Sequence, residues 1–256
     1  MSTIAILHPG QMGAAVGRAL LDVGHAVGWL PAGRGTGTHR RALAAGLTAF
    51  DAVDRCDAVI SVCPPAAALE TARGLRGFTG LYVDANAVSP STARGVASAA
   101  RLRGSTYVDG AVIGPPPTHA GSTRLYLSGE RAADIAALFA SSRLEAVVLD
   151  SDDFAASALK MTYAAQTKIS TALLVSLHRA ARELGVEDAL LAEWARSQPE
   201  LTTRLPAAQD AVLSKAWRWS DEMREISETF AAVGEPAGFG VAAAELFDRW
   251  PRPADD

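Results

Sequence analysis

Short apolar runs alternate with helical patterns through the first 150 residues of the chain. Strand–helix alternation with glycine-rich connections is typical of a parallel doubly wound sheet. We therefore predict an α/β Rossmann-type doubly wound sheet over residues 1–150. The predicted strands are Thr3–Leu7, Ala26–Leu30, Ala58–Cys63, Gly80–Asp84, Thr106–Asp109, Arg124–Ser128 and Ala146–Leu149. The predicted helices are Gly13–Val23, His39–Ala45, Ala66–Arg73, Pro90–Arg103 and Arg131–Ser141.

The pattern changes after Asp150, because no strand-like run follows. The remaining sequence is rich in Ala, Leu, Glu and Arg, with Gly and Pro between helical stretches. A long helix is predicted from Asp153 to Leu184, capped by the acidic cluster at residues 150–153 and ended by Gly185. We predict an all-α domain over residues 151–256 that opens with this interdomain helix. A helix so long and apolar needs cover on several sides, and a second subunit would provide it, so we expect a homodimer.

Composition and charge narrow the functional classes. The chain has 256 residues, of which 49% are apolar and 20% charged, as in globular proteins. Its net charge of −4, with both signs mixed along the chain, argues against a nucleic-acid or anionic-membrane surface. No signal-type segment and no long uncharged apolar run occur, so we expect a cytoplasmic protein without a membrane partner. The two cysteines, Cys56 and Cys63, have no zinc-site spacing, and no metal is expected.

The segment after the first predicted strand is the strongest functional signal. It leads into a glycine turn and then a helix rich in small residues, the arrangement that binds a dinucleotide pyrophosphate through backbone amides. Gly10 would allow close approach of the phosphates, and Gly13 close packing of helix and strand. His8 replaces the first glycine of G-x-G-x-x-G, so an ordinary strand–turn–helix remains the alternative. The candidate turn consists of His8, Pro9, Gly10, Gln11, Met12 and Gly13.

The loop after the second predicted strand indicates which coenzyme is bound. In this fold an acidic residue binds the ribose hydroxyls of NAD, whereas arginine meets the 2′-phosphate of NADP. No Asp or Glu occurs between Asp22 and Asp51, and the loop carries Arg34, with Arg40 as a second candidate. A guanidinium can fork onto a phosphate, so we predict NADP as the cofactor. The alternative is a solvated basic loop that caps the next helix.

Two further loops leave the same predicted edge of the sheet. Val62, Cys63 and Pro64 follow the third strand, and a turn at the carboxyl edge would touch a bound dinucleotide. Structurally, the tandem prolines need do no more than stiffen the crossover. Asn86 follows the fourth strand and could hydrogen-bond a nicotinamide amide or ribose, although residues so close to a helix start are often caps.

These segments, in this order, resemble the β-hydroxyacid dehydrogenase superfamily, which includes 3-hydroxyisobutyrate and 6-phosphogluconate dehydrogenases. More narrowly, the chain is similar to a branch whose helical C-terminal domain has no assigned function. The resemblance covers nearly the whole chain and includes Val62–Pro65 and Asp84–Pro90. The family's substrate loop, Asp-Ala-Pro-Val-Ser-Gly-Gly, corresponds to Asp109–Pro115, and its catalytic lysine to Lys160. The resemblance implies substrate contacts from Val112, Ile113, Gly114 and Pro115.

Lys160 is also distinctive without the resemblance. The chain contains three lysines, Lys160, Lys168 and Lys215, and the first lies in a predicted helix of Ala, Ser, Thr, Leu and Met. Partial desolvation suits such a lysine to proton transfer. The alternative is a side chain that extends its ammonium into water. The resemblance implies that Lys160 protonates the substrate oxygen in reduction and accepts the hydroxyl proton in oxidation. Tyr163, one turn on, would orient it or offer a hydroxyl, unless it is a packed aromatic.

Two departures from the family shift the expected substrate. Ile113 replaces the serine that anchors substrate, and Ala164 replaces an asparagine one turn after the lysine. The resulting drier pocket disfavours a hydroxyisobutyrate-like acid and favours a bulkier or less charged ketone, alcohol or imine. Three hypotheses follow. The first is an NADP-dependent oxidoreductase acting on a carbonyl or hydroxyl carbon of a small molecule; the others are an imine reductase and a non-catalytic NADP-binding sensor.

Overall fold

The computed structural model of the protein describes residues 1–151 and 153–250. The chain forms two compact units, Met1–Met161 and a second that begins at Thr162. Within the described ranges, no helix combines the length and hydropathy needed to cross a membrane. In the same ranges, no group of three or more His, Cys, Asp or Glu side chains is placed to hold a metal ion.

The first unit is built on an eight-stranded sheet. Its order is β3-β2-β1-β4-β5-β6-β7-β8, and every neighbouring pair is parallel except β6 and β7. This confirms the prediction of a Rossmann-type doubly wound sheet, which is parallel apart from the pair β6 and β7. The connection from β6 to β7 contains no helix. Because a parallel pair needs a longer crossover connection, these two strands pair antiparallel. The strands are β1 (Thr3–Leu7), β2 (Ala26–Trp29), β3 (Thr48–Ala49), β4 (Ala58–Ser61), β5 (Leu81–Asp84), β6 (Thr106–Ile113), β7 (Arg124–Ser128) and β8 (Glu145–Val148).

Helices cover both faces of this sheet. Because side chains alternate along a strand, Ile4 and Ile6 of β1 pack into one core, whereas Ala5 and Leu7 pack into the other. These helices are α1 (Gln11–Asp22), α2 (Thr36–Ala44), α3 (Ala68–Gly74), α4 (Pro90–Leu102) and α5 (Ala132–Leu138), with a 3₁₀ turn at Pro65–Ala67. All five predicted helices are present, with ends shifted by a few residues.

Two strands differ from the prediction by more than one or two residues at an end. β3 was not predicted, because its two residues are exposed and carry no apolar signal. β6 was predicted to end at Asp109 but continues to Ile113, because the antiparallel pairing with β7 starts at Asp109. The predicted substrate loop is therefore mostly strand.

The described residues after β8 form helices and no strand, as predicted. Helical residues extend from Ala155 to Glu183 and include a π-helical segment, Ala165–Ile169, where one long α-helix was expected. Gly185 follows with a φ of +69°. Asp152, part of the predicted acidic cap, lies outside the described residues. The helices are α6 (Ala155–Ala164), α7 (Ser170–Glu183), α8 (Glu187–Ser197), α9 (Pro199–Lys215), α10 (Ser220–Ala232) and α11 (Gly238–Phe247), with a 3₁₀ turn at Ala216–Arg218.

The division between the units falls inside α6, after Met161. It lies later than the predicted boundary between residues 150 and 151, and that domain boundary stays a prediction.

Candidate functional site

The order of the strands places a crevice at the carboxyl ends of β1 and β4. The chain progresses from β1 to β2 in one direction across the sheet and from β4 to β5 in the other. Open α/β sheets bind ligands where this direction changes. The predicted glycine turn at residues 8–13 follows β1, and Val62, Cys63 and Pro64 follow β4. Two of the predicted cofactor segments therefore border the same crevice.

The turn after β1 is tight. His8 has a φ of +60°, which is uncommon for a residue with a side chain. The Gly10 amide donates to the His8 carbonyl at 2.7 Å. A Cβ at Gly13 would lie 2.7 Å from that carbonyl oxygen, so position 13 requires glycine. A Cβ at Gly10 would meet nothing closer than 4.0 Å, which leaves open space beside the turn.

Helix α1 begins at this turn with an open N-terminus. Its N-cap is Gly10, which provides no side-chain hydrogen bond, and its first turn holds no acidic residue. The first amides of a helix have no acceptor within the helix, and the helix dipole favours an anion there. The amides of Gln11, Met12 and Gly13 therefore lie where a phosphate group would be bound.

Two polar atoms beside the turn are buried without a hydrogen-bond partner, the Nδ1 of His8 and the Nε of Arg34. Burial and the nearby charge of Arg34 lower the pKa of His8 to about 4, so its imidazole is neutral at pH 7. Burial also lowers the pKa of Arg34, and the electrostatic effect of the nearby Cys63 partly offsets this lowering. Buried polar atoms are nearly always hydrogen-bonded, so these two point to a ligand.

Taken together, these residues fit a phosphorylated dinucleotide. The open helix end suits a pyrophosphate, and the orphaned guanidinium nitrogen suits a further phosphate. Arg40, the second candidate, is exposed on α2.

Asn86 connects the loops after β4 and β5. Its Oδ1 accepts from the Cys63 amide at 2.6 Å, and its Nδ2 donates to Ser61 Oγ at 3.1 Å and Asp84 Oδ1 at 2.5 Å. The cap of α4 is Ser89, whose hydroxyl accepts from the Thr92 amide. The amide of Asn86 is therefore engaged inside the fold, and its direct contact with a coenzyme stays a prediction.

The predicted substrate residues lie on β6 and the turn after it. Val112 and Ile113 belong to the strand and are buried, whereas Gly114 and Pro115 are exposed. Gly114 has a φ of +123°, and a Cβ there would lie 2.4 Å from the Ser122 carbonyl oxygen. The Pro115 carbonyl accepts from Thr123 Oγ1. This turn is therefore fixed by its backbone.

The structure brings Lys160 to this strand. Its Nζ donates to the Val112 carbonyl at 3.0 Å, so the predicted catalytic lysine and one predicted substrate residue are in direct contact. Tyr163 and Ala164 lie beyond the division between the units. The Tyr163 side chain is 49% exposed, which argues against the packed-aromatic alternative, and Ala164 is buried.

Sequence reasoning missed a row of buried polar side chains across four strands. Ser61, Asp84, Asp109 and Ser128 pair in register on β4, β5, β6 and β7, and none is more than 1% exposed. Burial raises the pKa of Asp109 to about 6. Burial and the charge of Asp109 raise the pKa of Asp84 to about 7.

A signal for this row is present in the sequence. The tripeptide Tyr-Val-Asp occurs at residues 82–84 and again at 107–109. The two copies pair residue by residue on β5 and β6. A carboxylate at the same place in two neighbouring apolar strands predicts a buried acidic pair.

Solved structures match almost the whole chain. A conserved protein of unknown function, described as structurally similar to 3-hydroxyacid dehydrogenases, is 28% identical with a TM-score of 0.72, covering 96% of both chains. The Mycobacterium tuberculosis 3-hydroxyisobutyrate dehydrogenase, solved with L-serine, is 20% identical (TM-score 0.72; 97% of this chain and 93% of that chain). A reductive aminase from Aspergillus terreus, in complex with NADPH and ethyl levulinate, is 18% identical (TM-score 0.59; 97% and 93%). The first of these matches confirms the resemblance to the β-hydroxyacid dehydrogenase superfamily, and the other two show the same fold.

The C-terminal helical residues indicate a particular branch of this superfamily. Residues 181–250 match a family described as a domain of unknown function, DUF1932. This confirms the branch whose C-terminal helical domain has no assigned function. A comparison with curated proteins found no match.

Proposed function

We propose that the chain is an NADP-dependent oxidoreductase that transfers hydride between the nicotinamide and a carbonyl or hydroxyl carbon of a small molecule. The observation that carries this proposal is the buried, unpartnered Nε of Arg34 beside the open N-terminus of α1. We also propose that the protein acts in the cytoplasm as a homodimer. The choice of NADP as coenzyme is supported by structural relatives that have been solved with NADPH and with NADP+.

The chain's own residues would hold the coenzyme as follows. The amides of Gln11, Met12 and Gly13 bind the pyrophosphate, and the guanidinium of Arg34 binds the 2′-phosphate. His8, Pro9 and Gly10 shape the turn, and the neutral imidazole of His8 adds no charge beside Arg34. The β4 and β5 side of the site is formed by Val62, Cys63, Pro64 and Asn86.

Lys160 handles the proton of the reaction. A bound nicotinamide coenzyme would supply the hydride in reduction and accept it in oxidation. In reduction, Lys160 Nζ donates a proton to the carbonyl oxygen, so that C=O gains one hydride and one proton and becomes CH–OH; in oxidation the proton returns to Nζ. The Val112 carbonyl holds Nζ at 3.0 Å and thereby orients it. Tyr163, three residues later on α6, is the candidate for a second hydroxyl at the substrate.

The turn after β6 supports a substrate with little negative charge. Ile113 brings no hydroxyl, and Pro115 brings no N–H, so a carboxylate would find few donors there. A bulkier or less charged ketone or alcohol is therefore favoured over a hydroxyisobutyrate-like acid.

The same lack of donors favours a second candidate, an NADPH-dependent imine reductase. An iminium substrate arrives already protonated, so it needs neither an anchoring hydroxyl nor an acid. The likeness to a reductive aminase fold is compatible with this candidate.

Coenzyme titration tests the first part of the proposal. Arg34→Ala should weaken NADPH about 10- to 100-fold by calorimetry and leave NADH almost unchanged, because a charged hydrogen-bond partner is lost. Arg103→Ala, at an exposed position after the end of α4, is the matched control and should change neither affinity. An equal effect of Arg34→Ala on both coenzymes would refute the 2′-phosphate contact.

A turnover assay tests the second part. The wild type should oxidise NADPH with a member of a ketone, aldehyde and imine panel, and Lys160→Ala should lower kcat about 10²- to 10⁴-fold with unchanged NADPH affinity. Lys215→Ala is the lysine control. Full activity of the Lys160→Ala enzyme on imines would favour the imine reductase. Tight NADPH binding without any turnover would favour the sensor.

A further inference from the structure

The buried polar row does more than fill the sheet, because it holds the start of α6. Ser157 donates its amide to Asp109 Oδ2 at 2.8 Å and its hydroxyl to Asp109 Oδ1 at 2.6 Å. The Ala156 amide donates to Ser128 Oγ at 3.1 Å, and that hydroxyl donates to Asp109 Oδ2 at 3.1 Å. Two first-turn amides of α6 are thus satisfied by strands β6 and β7, rather than by the predicted acidic cluster.

The same strand also holds Lys160. Asp109 contacts Ser157, and three residues further along both elements Val112 contacts Lys160. Strand β6 therefore fastens α6 at two places, one at its first turn and one at the predicted catalytic amine. All of these residues lie within the first unit.

The neighbouring Asp84 lets Asp109 carry a charge. Asp84 and Asp109 are register partners, and Asp84 Oδ2 is buried without a hydrogen-bond partner. An ionised oxygen there would be costly, whereas a protonated carboxyl is tolerated. Asp109 accepts hydrogen bonds from Ser157 and Ser128, and burial and Asp109 raise the pKa of Asp84 above that of Asp109, so a single proton on the pair stays on Asp84. A negative charge at a helix N-terminus is stabilising.

We propose that Asp109 is a positioning residue, which docks the first turn of α6 and so holds the Lys160 amine at the Val112 carbonyl. This inference rests on the proposed function only for the use of that amine in proton transfer. The docking itself concerns residues that need no substrate.

Trace acetylation tests the docking without any activity. Because the chain has three lysines, Lys168 and Lys215 serve as internal references. Asp109→Asn should raise the acetylation rate of Lys160 about tenfold relative to Lys215, which corresponds to about 1.4 kcal/mol. Ser157→Ala, which keeps Asp109, should raise it several-fold. Asp84→Asn is the matched control, since its hydrogen bonds go to Asn86, and should leave the rate unchanged.

The acetylation rate of Lys160 shows whether Asp109 docks the first turn of α6. An unchanged Lys160 rate in folded Asp109→Asn protein would overturn it. Should that variant not fold, Ser157→Ala alone decides, and an unchanged rate there would overturn it as well.

Kinetics then separates positioning from a structural role. Asp109→Asn should lower kcat about 10- to 100-fold with little change in the KM for NADPH. In the Lys160→Ala background the same substitution should have no further effect, because its influence passes through the lysine. An equal loss in both backgrounds would overturn the positioning role. Absence of turnover in the wild type would refute the proposed function alone, and acetylation would still decide the docking.

Discussion

Helices α1 and α6 begin in opposite ways. Gly10 gives α1 no side-chain cap, and buried polar atoms of His8 and Arg34 nearby have no partner. The first turn of α6, in contrast, is closed by a carboxylate and a hydroxyl from the sheet. Both helix N-termini attract negative charge. In α1 the first amides are free to bind an anion from outside the protein, whereas in α6 they are bound by side chains of the protein itself, one of them acidic.

Helix α4 is the ordinary case between these two. Its cap, Ser89, is local in sequence and accepts from the Thr92 amide at 3.1 Å, and Pro90 occupies the first helical position. The comparison shows that unsatisfied donors, rather than a helix end as such, distinguish a candidate ligand site from a structural joint.

The largest effect on coenzyme binding is expected from closing α1. Gly10→Asp would place a carboxylate at the N-cap, where it accepts first-turn amides and repels phosphate. We expect NADPH affinity to fall about 100-fold or more in calorimetry, with no loss in the free energy of unfolding. Gly10→Ala, which keeps the terminus uncapped, should weaken binding less. Unchanged NADPH affinity in Gly10→Asp would mean that α1 does not receive the pyrophosphate.

A second substitution tests the tight turn itself. Gly13→Ala would place a Cβ 2.7 Å from the backbone oxygen of His8, a separation too short for a real Cβ atom. We expect the free energy of unfolding to fall by about 2 kcal/mol in urea denaturation. Gly74→Ala, at a helical position with nothing within 4 Å of the added Cβ, is the control and should not destabilise. Equal stabilities of the two variants would contradict the steric argument.

The buried polar row should be visible in the pH dependence of the free energy of unfolding. The pKa of Asp84 rises from 3.8 to about 7 on folding, so between these values the folded state binds a proton that the unfolded state has lost. This carboxyl therefore makes the free energy of unfolding decrease as pH rises from about 4 to about 7, by up to about 1.4 kcal/mol per pH unit. Asp84→Asn removes this contribution. The variant should gain stability relative to wild type across that range, and a pH-independent difference would contradict the buried proton.

The smallest effect is expected at α4. Ser89→Ala leaves the Thr92 amide without its acceptor and should cost about 1 kcal/mol of unfolding free energy. Thr92→Val keeps that cap and loses only the threonine hydroxyl, so it separates the two contributions. NADPH affinity should not change in Ser89→Ala, and a marked loss would show that α4 is coupled to the crevice.

The fold could be predicted from apolar periodicity wherever strands are buried. β1 and β7 were predicted with the bounds that the structure has. The antiparallel direction of β7 could not be predicted, because an apolar run looks the same in a parallel and in an antiparallel strand. β3 could not be predicted either, because its two residues are exposed and give no apolar signal. The π-helical segment Ala165–Ile169 could not be predicted from the sequence, because an extra residue in one helical turn leaves the amino-acid composition of the segment unchanged.

The candidate site divides in the same way. The prediction that the glycine turn and Arg34 contact the coenzyme depends on local sequence signals, and it stays a prediction. The contact of Asp109 with Ser157 could not be predicted, because 48 residues separate them and only the sheet brings them together. Asn86 was predicted as a ligand contact from its place after a strand, but its hydrogen bonds to Ser61 and Asp84 depend on the register of β4 and β5.

The open start of α1 also has a consequence for the survival of the chain. A dinucleotide present at about a hundred times its dissociation constant would add about 2.7 kcal/mol to the free energy of unfolding. Proteases that attack the transiently opened chain would then find it about a hundredfold less often. If this nucleotide is the coenzyme proposed above, a cell poor in it would degrade the protein faster, and the abundance of the protein would follow the supply of that coenzyme.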